Sequence, residues 1–212
     1  MSSKVVKISL SIIIFFLLMM YIIWGPEAGK KQLELDSTKN EVINEVQQTK
    51  EYVNKTSDWL ESEGRNPEIA YFNPPEDSSK NKDPKTDVLK YFIAGLLTND
   101  IDIFLSSFYP ETISKDLFQS NITDKVKVAE GIMERISRNG QITDVQYVVK
   151  KGAFNTETNK ISVILIFKDE KKAKVTLDII PVKDSHEKDE KSVYVINTSA
   201  WKIIEQIENS TN

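Results

Sequence analysis

The chain reads as an α+β domain carried behind a membrane helix, and three observations predict it. An uncharged apolar run from Ile8 to Trp24 is long enough to span a bilayer. Apolar stripes at helical spacing fill the stretch from Thr86 to Arg138. After Gly140 the apolar period falls from roughly 3.6 to 2, the mark of a sheet.

The first seven residues form a short tail holding Lys4 and Lys7, and residues 8–24 form the anchor. At about 1.5 Å of rise per residue, this run reaches the lower end of a spanning helix. A cleaved secretory signal has a shorter apolar region, about 7 to 15 residues, and small residues at its exit. Here the exit is Trp24-Gly25-Pro26-Glu27-Ala28, and no cysteine exists to carry a lipid. Tyr21 and Trp24 suit an interfacial aromatic belt and Lys7 can snorkel at the other end, so the helix reads as retained. Lys4 and Lys7 compete with Lys30 and Lys31 in setting orientation, so charge alone does not choose the side. The short tail and the absence of cysteine point to an extracytoplasmic domain. The Lys-, Ile- and Asn-rich usage points to a bacterial source.

Beyond the anchor, 28 basic residues are interspersed with 32 acidic ones over the 212-residue chain, which leaves no nucleic-acid footprint. Residues 25–63 read as a helical stem, with Leu35, Val42, Val46, Val53 and Leu60 at heptad seam positions and Lys39, Thr49 and Thr56 in the intervening ones. A self-associating stalk and a solvated helix both fit this pattern. Residues 64–86 hold four of the seven prolines and read as a linker. Inside it, Ile69, Ala70, Tyr71 and Phe72 make an apolar island able to dock on the domain or on a partner.

The domain is expected over residues 87–208, with a tail at 209–212. Thr86 is the expected cap of a helix striped by Val88, Leu89, Phe92, Ile93, Leu96 and Leu97, and Asn99-Asp100 stops it. Ile101–Phe108 is a second short helix, Pro110 breaks it, and Thr112–Phe118 adds a turn. Thr123–Arg138 is a third long helix with Val126, Ile132, Met133 and Ile136 inward. Val145, Tyr147 and Val149 then alternate with polar residues, Ile161–Phe167 follows the turn "NTETNK", and Ala173, Val175, Leu177 and Ile179 make the most regular strand. Val193–Ile196 and Ser199–Ile207 are read as the last two strands. Short turns between consecutive strands imply an antiparallel meander, so about three helices precede a curved sheet.

A helix closing on "LLTND" (Leu96–Asp100), a short helix behind it and a final "AWKIIEQI" (Ala200–Ile207) resemble the nuclear transport factor 2-like superfamily, whose cystatin-like fold wraps a curved sheet around helices into a cone. The resemblance spans about Asp87–Glu208 and implies a fold rather than an activity, because this fold hosts many functions. With an anchor and stem in front, the layout is similar to bitopic scaffold proteins of type IV secretion and conjugation machines, and to ring components of bacterial envelope complexes. It implies a scaffold or assembly component.

Enzymes of that superfamily place polar pairs in the mouth of the cone, which directs attention to Tyr147, Trp201 and Glu205. Alternation puts Tyr147 between Val145 and Val149, and Glu205 in phase with Trp201 and Ile203. A buried carboxylate beside a phenol has a raised pKa and suits a general base, which leaves a small-ligand binder or enzyme as the alternative. The plainer reading keeps Tyr147 in the core and Glu205 solvated. The single histidine, His186, lies in the acidic loop "KDSHEKDEK" without a second one, so neither a metal site nor a cofactor is expected. "GPEAGKK" (Gly25–Lys31) lacks the spacing and the Ser or Thr of a phosphate loop, and no nucleophile elbow or dinucleotide fingerprint occurs.

One pattern points to assembly. In Ile161–Phe167 the out-of-phase residues include Ile164 and Ile166, and Ile180 and Ile204 are read onto the same second face. A sheet covered by helices on one side ordinarily has a wet back, so an apolar one needs a protein partner, a second subunit or the Ile69–Phe72 island. A membrane-tethered regulator facing the cytoplasm is the third reading.

A retained anchor makes a definite prediction. The full chain should stay in the membrane fraction after an alkaline carbonate wash with its amino terminus intact, whereas a product shortened by about 25 residues and free in the wash would contradict it.

Overall fold

The computed structural model describes residues 30–62, 83–151, 157–183 and 192–211. The chain divides into two compact units, Met1–Lys31 and Gln32–Asn212, and the fold described below is that of the second. A three-residue strand, β1 (Lys31–Leu33), leads into a long helix, α1 (Leu35–Ser62). Four helices follow: α2 (Pro84–Thr98), α3 (Ile101–Ser106), α4 (Pro110–Gln119) and α5 (Lys125–Ser137). Then come β2 (Ile142–Lys151), β3 (Glu157–Phe167), β4 (Lys172–Lys183), β5 (Ser192–Ile196) and a closing helix, α6 (Ala200–Thr211). The class is α+β, with six helices and a five-stranded antiparallel sheet among the described residues.

Acidic side chains start α2, α3 and α5. Asp83 accepts from the Lys85 amide at 3.3 Å ahead of Pro84, Asp100 from Ile103 at 3.0 Å, and Asp124 from Val126 at 3.1 Å. Each satisfies amides that the first helical turn leaves without partners and places negative charge at the positive end of the helix. The α2 cap is thus Asp83 and not the expected Thr86, whose hydroxyl instead donates to Asp83 at 2.8 Å from within the first turn. Pro110 opens α4 as well as ending what precedes it, because its missing N–H is one the first turn never uses. On α5 the inward face is Val128, Ala129, Ile132, Met133 and Ile136, while Val126, expected inside, is 56% exposed. Left-handed residues, Asn99 after α2 and Arg138 after α5, end the helices.

The main core is an apolar layer between α2–α6 and the sheet, with a small second cluster where α1 meets α2. Phe92, Phe104 and Phe108 stack at centroid distances of 5.7, 5.8 and 5.1 Å. Gly95 lets α2 and α3 approach this closely, since a Cβ there would stand 2.6 Å from the Phe104 amide nitrogen. From the sheet, Tyr147, Val163 and Val175 face inward as one cross-strand row, and Gln146, Ile164 and Lys174 face outward as the next. The expected alternation of β2, β3 and β4 is therefore present, and β3 begins at Glu157, inside the stretch read as a turn.

Strand order is β1-β2-β3-β4-β5, a meander with β1 added on the β2 edge. Leu33 of β1 and Val42 of α1 are buried, and α1 packs on α2 through Val42, Val46, Tyr91 and Ala94. Glu41 meets Lys90 at 2.8 Å. Burial, with Glu45 beside it, raises the Tyr91 phenol above its ordinary pKa, so it stays a neutral donor. The first half of the predicted stem is thus part of the domain; the side chains of Val53 and Leu60 lie outside the described residues.

The largest correction concerns Ser199–Ile207, read as a strand. It is helix α6, and it runs through the expected tail to Thr211. The buried residues are Ala200, Ile203, Ile204 and Ile207, a helical spacing, whereas Trp201, Ile203 and Glu205 share an alternation only by coincidence. The helix has an edge to cover. β5 pairs only with Ile179–Lys183, so the first half of β4 has β3 on one side and no strand on the other. There Gln206 accepts from the Thr176 amide at 2.9 Å, the Thr198 hydroxyl from the Asp178 amide at 2.7 Å, and the Asn197 amide donates to the Asp178 carbonyl at 2.7 Å. Side chains thus complete the edge and blunt it against strand addition.

Asp116 on α4 holds α6 in place. It is only 4% exposed, and its carboxylate accepts from the Ser199 hydroxyl at 2.7 Å and the Ala200 amide at 2.6 Å, while its carbonyl accepts from the Trp201 indole at 3.0 Å. Among the described residues no helix is long and apolar enough to cross a membrane. The run Ile8–Trp24, the island Ile69–Phe72 and His186 lie outside the described residues.

Replacing Asp116 with Ala leaves a half-buried hydroxyl and a buried helix-start amide without an acceptor. It should cost about 2–4 kcal/mol in urea unfolding, with Asn costing less; an Ala variant within about 0.5 kcal/mol of wild type would contradict the stapling role.

Candidate functional site

Between α3 and α4 the chain makes one extended step, and that step creates the site. The Ser107 carbonyl accepts from the Ile196 amide at 2.8 Å, and the Tyr109 amide donates to the Ile196 carbonyl at 2.9 Å, a parallel bridge on the outer edge of β5. Pro110 then starts α4. The space between α4 and β5 is a groove of about 450 Å3 lined by Leu105, Phe108, Ile113 and Leu117 on the helical side and by Val182, Val193 and Val195 on the sheet side. Phe108 and Val195 form a buried floor, at 1% and 6% exposure, and Val193 forms an open rim at 63%.

The polar lining consists of Ser106 and Ser114, and Ser106 already donates to the Ile103 carbonyl at 2.8 Å. Among the described residues, no titratable side chain lines the groove. Its described lining therefore suits apolar groups. Backbone geometry adds a second feature. The Ile196 N–H and C=O point outward to the bridge, so by alternation those of Tyr194 point to the same edge, one step along the groove. Tyr194 has no backbone partner on that side among the described residues.

The residues singled out from sequence fall elsewhere. Tyr147 is buried in β2 with its hydroxyl 3.4 Å from that of Thr86. Glu205 is exposed on α6, and Trp201 is half-buried at the start of the same helix, its ring under the Arg135 guanidinium at 5.5 Å. The alternation that placed Glu205 beside Tyr147 belonged to a strand that is a helix, so the two do not form a site. Ile204 is a core residue at 1% exposure, not part of the outer face. Ile164 and Ile166 are on the outer face and half-buried, flanked in register by Gln146 and Lys174 and by Asp144 and Lys172. Ile180 lies on that face too, but opposite Val195, next to the groove, and the rows Lys160–Asp178 and Ser162–Thr176 separate it from the other two. The outer apolar face is thus two patches, and the groove belongs to the second.

Sequence reading missed the helical wall. Its signals were Ile113 and Leu117 at a four-residue spacing, and Val193 and Val195 alternating with Tyr194 and Ile196, so that both faces of β5 are apolar. A second, polar cleft lies among Glu134, Arg135, Arg138, Lys171 and Glu208. Its cations are committed: Arg135 to Glu208 at 2.5 Å, Arg138 to both Asp169 oxygens at 2.9 and 3.0 Å, and Lys171 to the Thr211 carbonyl. The Arg138 fork holds the Asp169 carboxyl below its ordinary range. No group of three or more His, Asp or Glu among the described residues is placed to hold a metal ion.

The floor of the groove should behave as core and its rim as free surface. Phe108→Ala should lose about 3–5 kcal/mol, whereas Val193→Asp should stay within about 0.5 kcal/mol of wild type; a Val193→Asp variant that unfolds would show the rim to be structural. Compared with family models, with curated proteins and with solved structures, the chain finds no match.

Proposed function

We propose that this chain is a single-pass membrane protein whose extracytoplasmic domain acts through protein contacts, as a scaffold or assembly component of a bacterial envelope complex, with the groove between α4 and β5 as its contact surface. The observation that carries the reading is the lining: an open groove whose described residues are apolar and hold no titratable group, bordered by strand amide and carbonyl groups facing outward. An extended apolar segment gains burial from the first feature and backbone hydrogen bonds from the second, which is how strand addition recognises peptides. The membrane location rests on the run Ile8–Trp24. Helices preceding an antiparallel meander support the finer reading of a cone-shaped nuclear transport factor 2-like domain, and the closing helix α6, standing where a Trp-Lys-Ile strand was expected, is a departure from it.

Two measurements test this reading. Because the chain has no cysteine, a single one at Ser185 reports its side of the membrane: labelling by an impermeant thiol reagent in intact cells is expected, and a protected thiol favours the cytoplasm-facing regulator. A photo-reactive residue in place of Val193 should give one discrete adduct with another polypeptide in native membranes, while the same residue at Lys172, at the far end of β4, should give none. Failure of the Val193 adduct, also in a chain lacking residues 66–75, overturns the protein-contact reading.

A further inference from the structure

The chain enters its fold through a lightly held arm. We propose that β1 and α1 form a strap that releases as one unit ahead of the rest of the domain, so that the link between the membrane run and the domain has two lengths, one with the strap docked and one with it drawn off. This rests on the reading of the chain as a membrane-anchored contact protein and adds a device that sets how far from the bilayer its contact surface works.

Few of the described groups hold the arm. β1 is three residues long on the edge of the ten-residue β2, and the bond from Gln32 Nε2 to the Asp144 carboxylate, at 3.1 Å, is exposed. Leu33 is buried in the main core, with Leu35 packed partly against it. Among the described side chains of α1, Thr38 and Val42 alone are buried, and Val42 joins Ala94 and Ile103 in the small cluster apart from the main core. The Glu41–Lys90 pair is partly exposed and adds little to apolar burial. By contrast, α2 turns Val88, Leu89, Phe92, Ile93 and Leu96 into the main core, and its start is fixed by the Asp83 cap and by Lys85 on the Thr158 carbonyl. A unit with few buried contacts opens before one with many. What release uncovers is tolerable in water: Ala94 presents one methyl group, Tyr91 a phenol, and Lys90 keeps Asp87 at 3.9 Å when Glu41 leaves.

Chain length sets the two spans. Trp24 precedes Lys31 by seven residues, so with the strap docked this link reaches at most about 25 Å. Between Ser62 and Asp83 lie 20 residues, up to about 70 Å of chain, which lets α1 leave without drawing on α2. Asp83 follows Lys31 by 52 residues, so full release adds up to about 170–190 Å. A pull between the membrane run and a partner in the groove passes through β1 before any other element of the fold, and the load therefore falls first on the arm.

Single-molecule stretching of the full chain, held in lipid nanodiscs, tests the strap, with handles on the cysteines of Lys30→Cys and Asn212→Cys in the otherwise cysteine-free sequence. Two steps are expected. The first lengthens the chain by no more than the 52 residues from Lys31 to Asp83 and closes again on relaxation; the second, at roughly twice the force or more, unfolds the rest. A single step from the folded to the unfolded length overturns the proposal. In Val42→Asp the first step should fall to lower force or vanish while the second keeps its force and length, and loss of the second step makes the arm part of the domain's own fold and overturns the strap as well. Hydrogen exchange of the wild-type chain reads the same opening without load. The amides of residues 39–46 should exchange together, about a hundredfold or more faster than those of Val163 and Leu165 and with a shallower dependence on urea; equal rates and slopes place arm and sheet in one cooperative unit and overturn it. The two readings fail separately. Two steps without any Val193 photo-adduct retain the strap and remove the protein-contact function; an adduct with a single step retains the contact function and fixes the link at its short length.

Discussion

A single buried carboxylate organises the side of the molecule that carries the groove. Asp116 would be costly inside a protein if left alone, but it faces a hydroxyl and the first amide of α6, where the helix dipole also favours negative charge. Its carbonyl takes the Trp201 indole, and one turn earlier the Thr112 hydroxyl donates to the Asn197 side chain at 2.7 Å. Helix α4 is thereby fastened to the 197–201 corner over its whole inner length. Since that corner also supplies the Thr198 hydroxyl and the Asn197 amide to the β4 edge, the same few polar groups fix the helix, the closing helix and the end of the short strand. The groove lies between α4, held there, and β5.

The second constraint is the distance between α2 and α3. Gly95 has the Phe104 backbone where a side chain would be, and this contact sets Phe104 and Phe108 against Phe92. Phe108 is then buried at the point where the chain must extend to reach Ile196. A bulkier residue at 95 would push α3 outward and with it the groove floor, so the site is coupled to a glycine on the far side of the aromatic cluster.

These couplings explain what was legible in the sequence and what was not. Strands β2 to β4 were readable because Tyr147, Val163 and Val175 alternate with polar residues against one buried layer, a local signal that needs no knowledge of neighbours. Helix α6 was misread because Ala200 is too small to register as an apolar position, and without it Trp201, Ile203 and Glu205 mimic a period of two. The apolar outer residues of β3 were real, but Lys172 and Lys174 stand beside Ile166 and Ile164 in register, and aliphatic lysine stems shield such positions without any partner. The groove was not readable at all, since Phe108 and Ile196 come together across the whole sheet and no periodicity links them.

The geometry also bears on which kind of occupant suits the groove. Burying two or three large apolar side chains gains about 1.5–3 kcal/mol each, and a strand-edge hydrogen bond adds about 1 kcal/mol. Free association loses about 4–15 kcal/mol of translational and rotational freedom, which consumes most of that gain for an untethered peptide. A segment already attached, or one presented by a neighbour held in the same membrane, escapes much of this loss, because its effective concentration is set by the tether. A groove of about 450 Å3 whose described lining holds no charged anchor is thus better matched to a partner already held nearby than to one recruited from dilute solution.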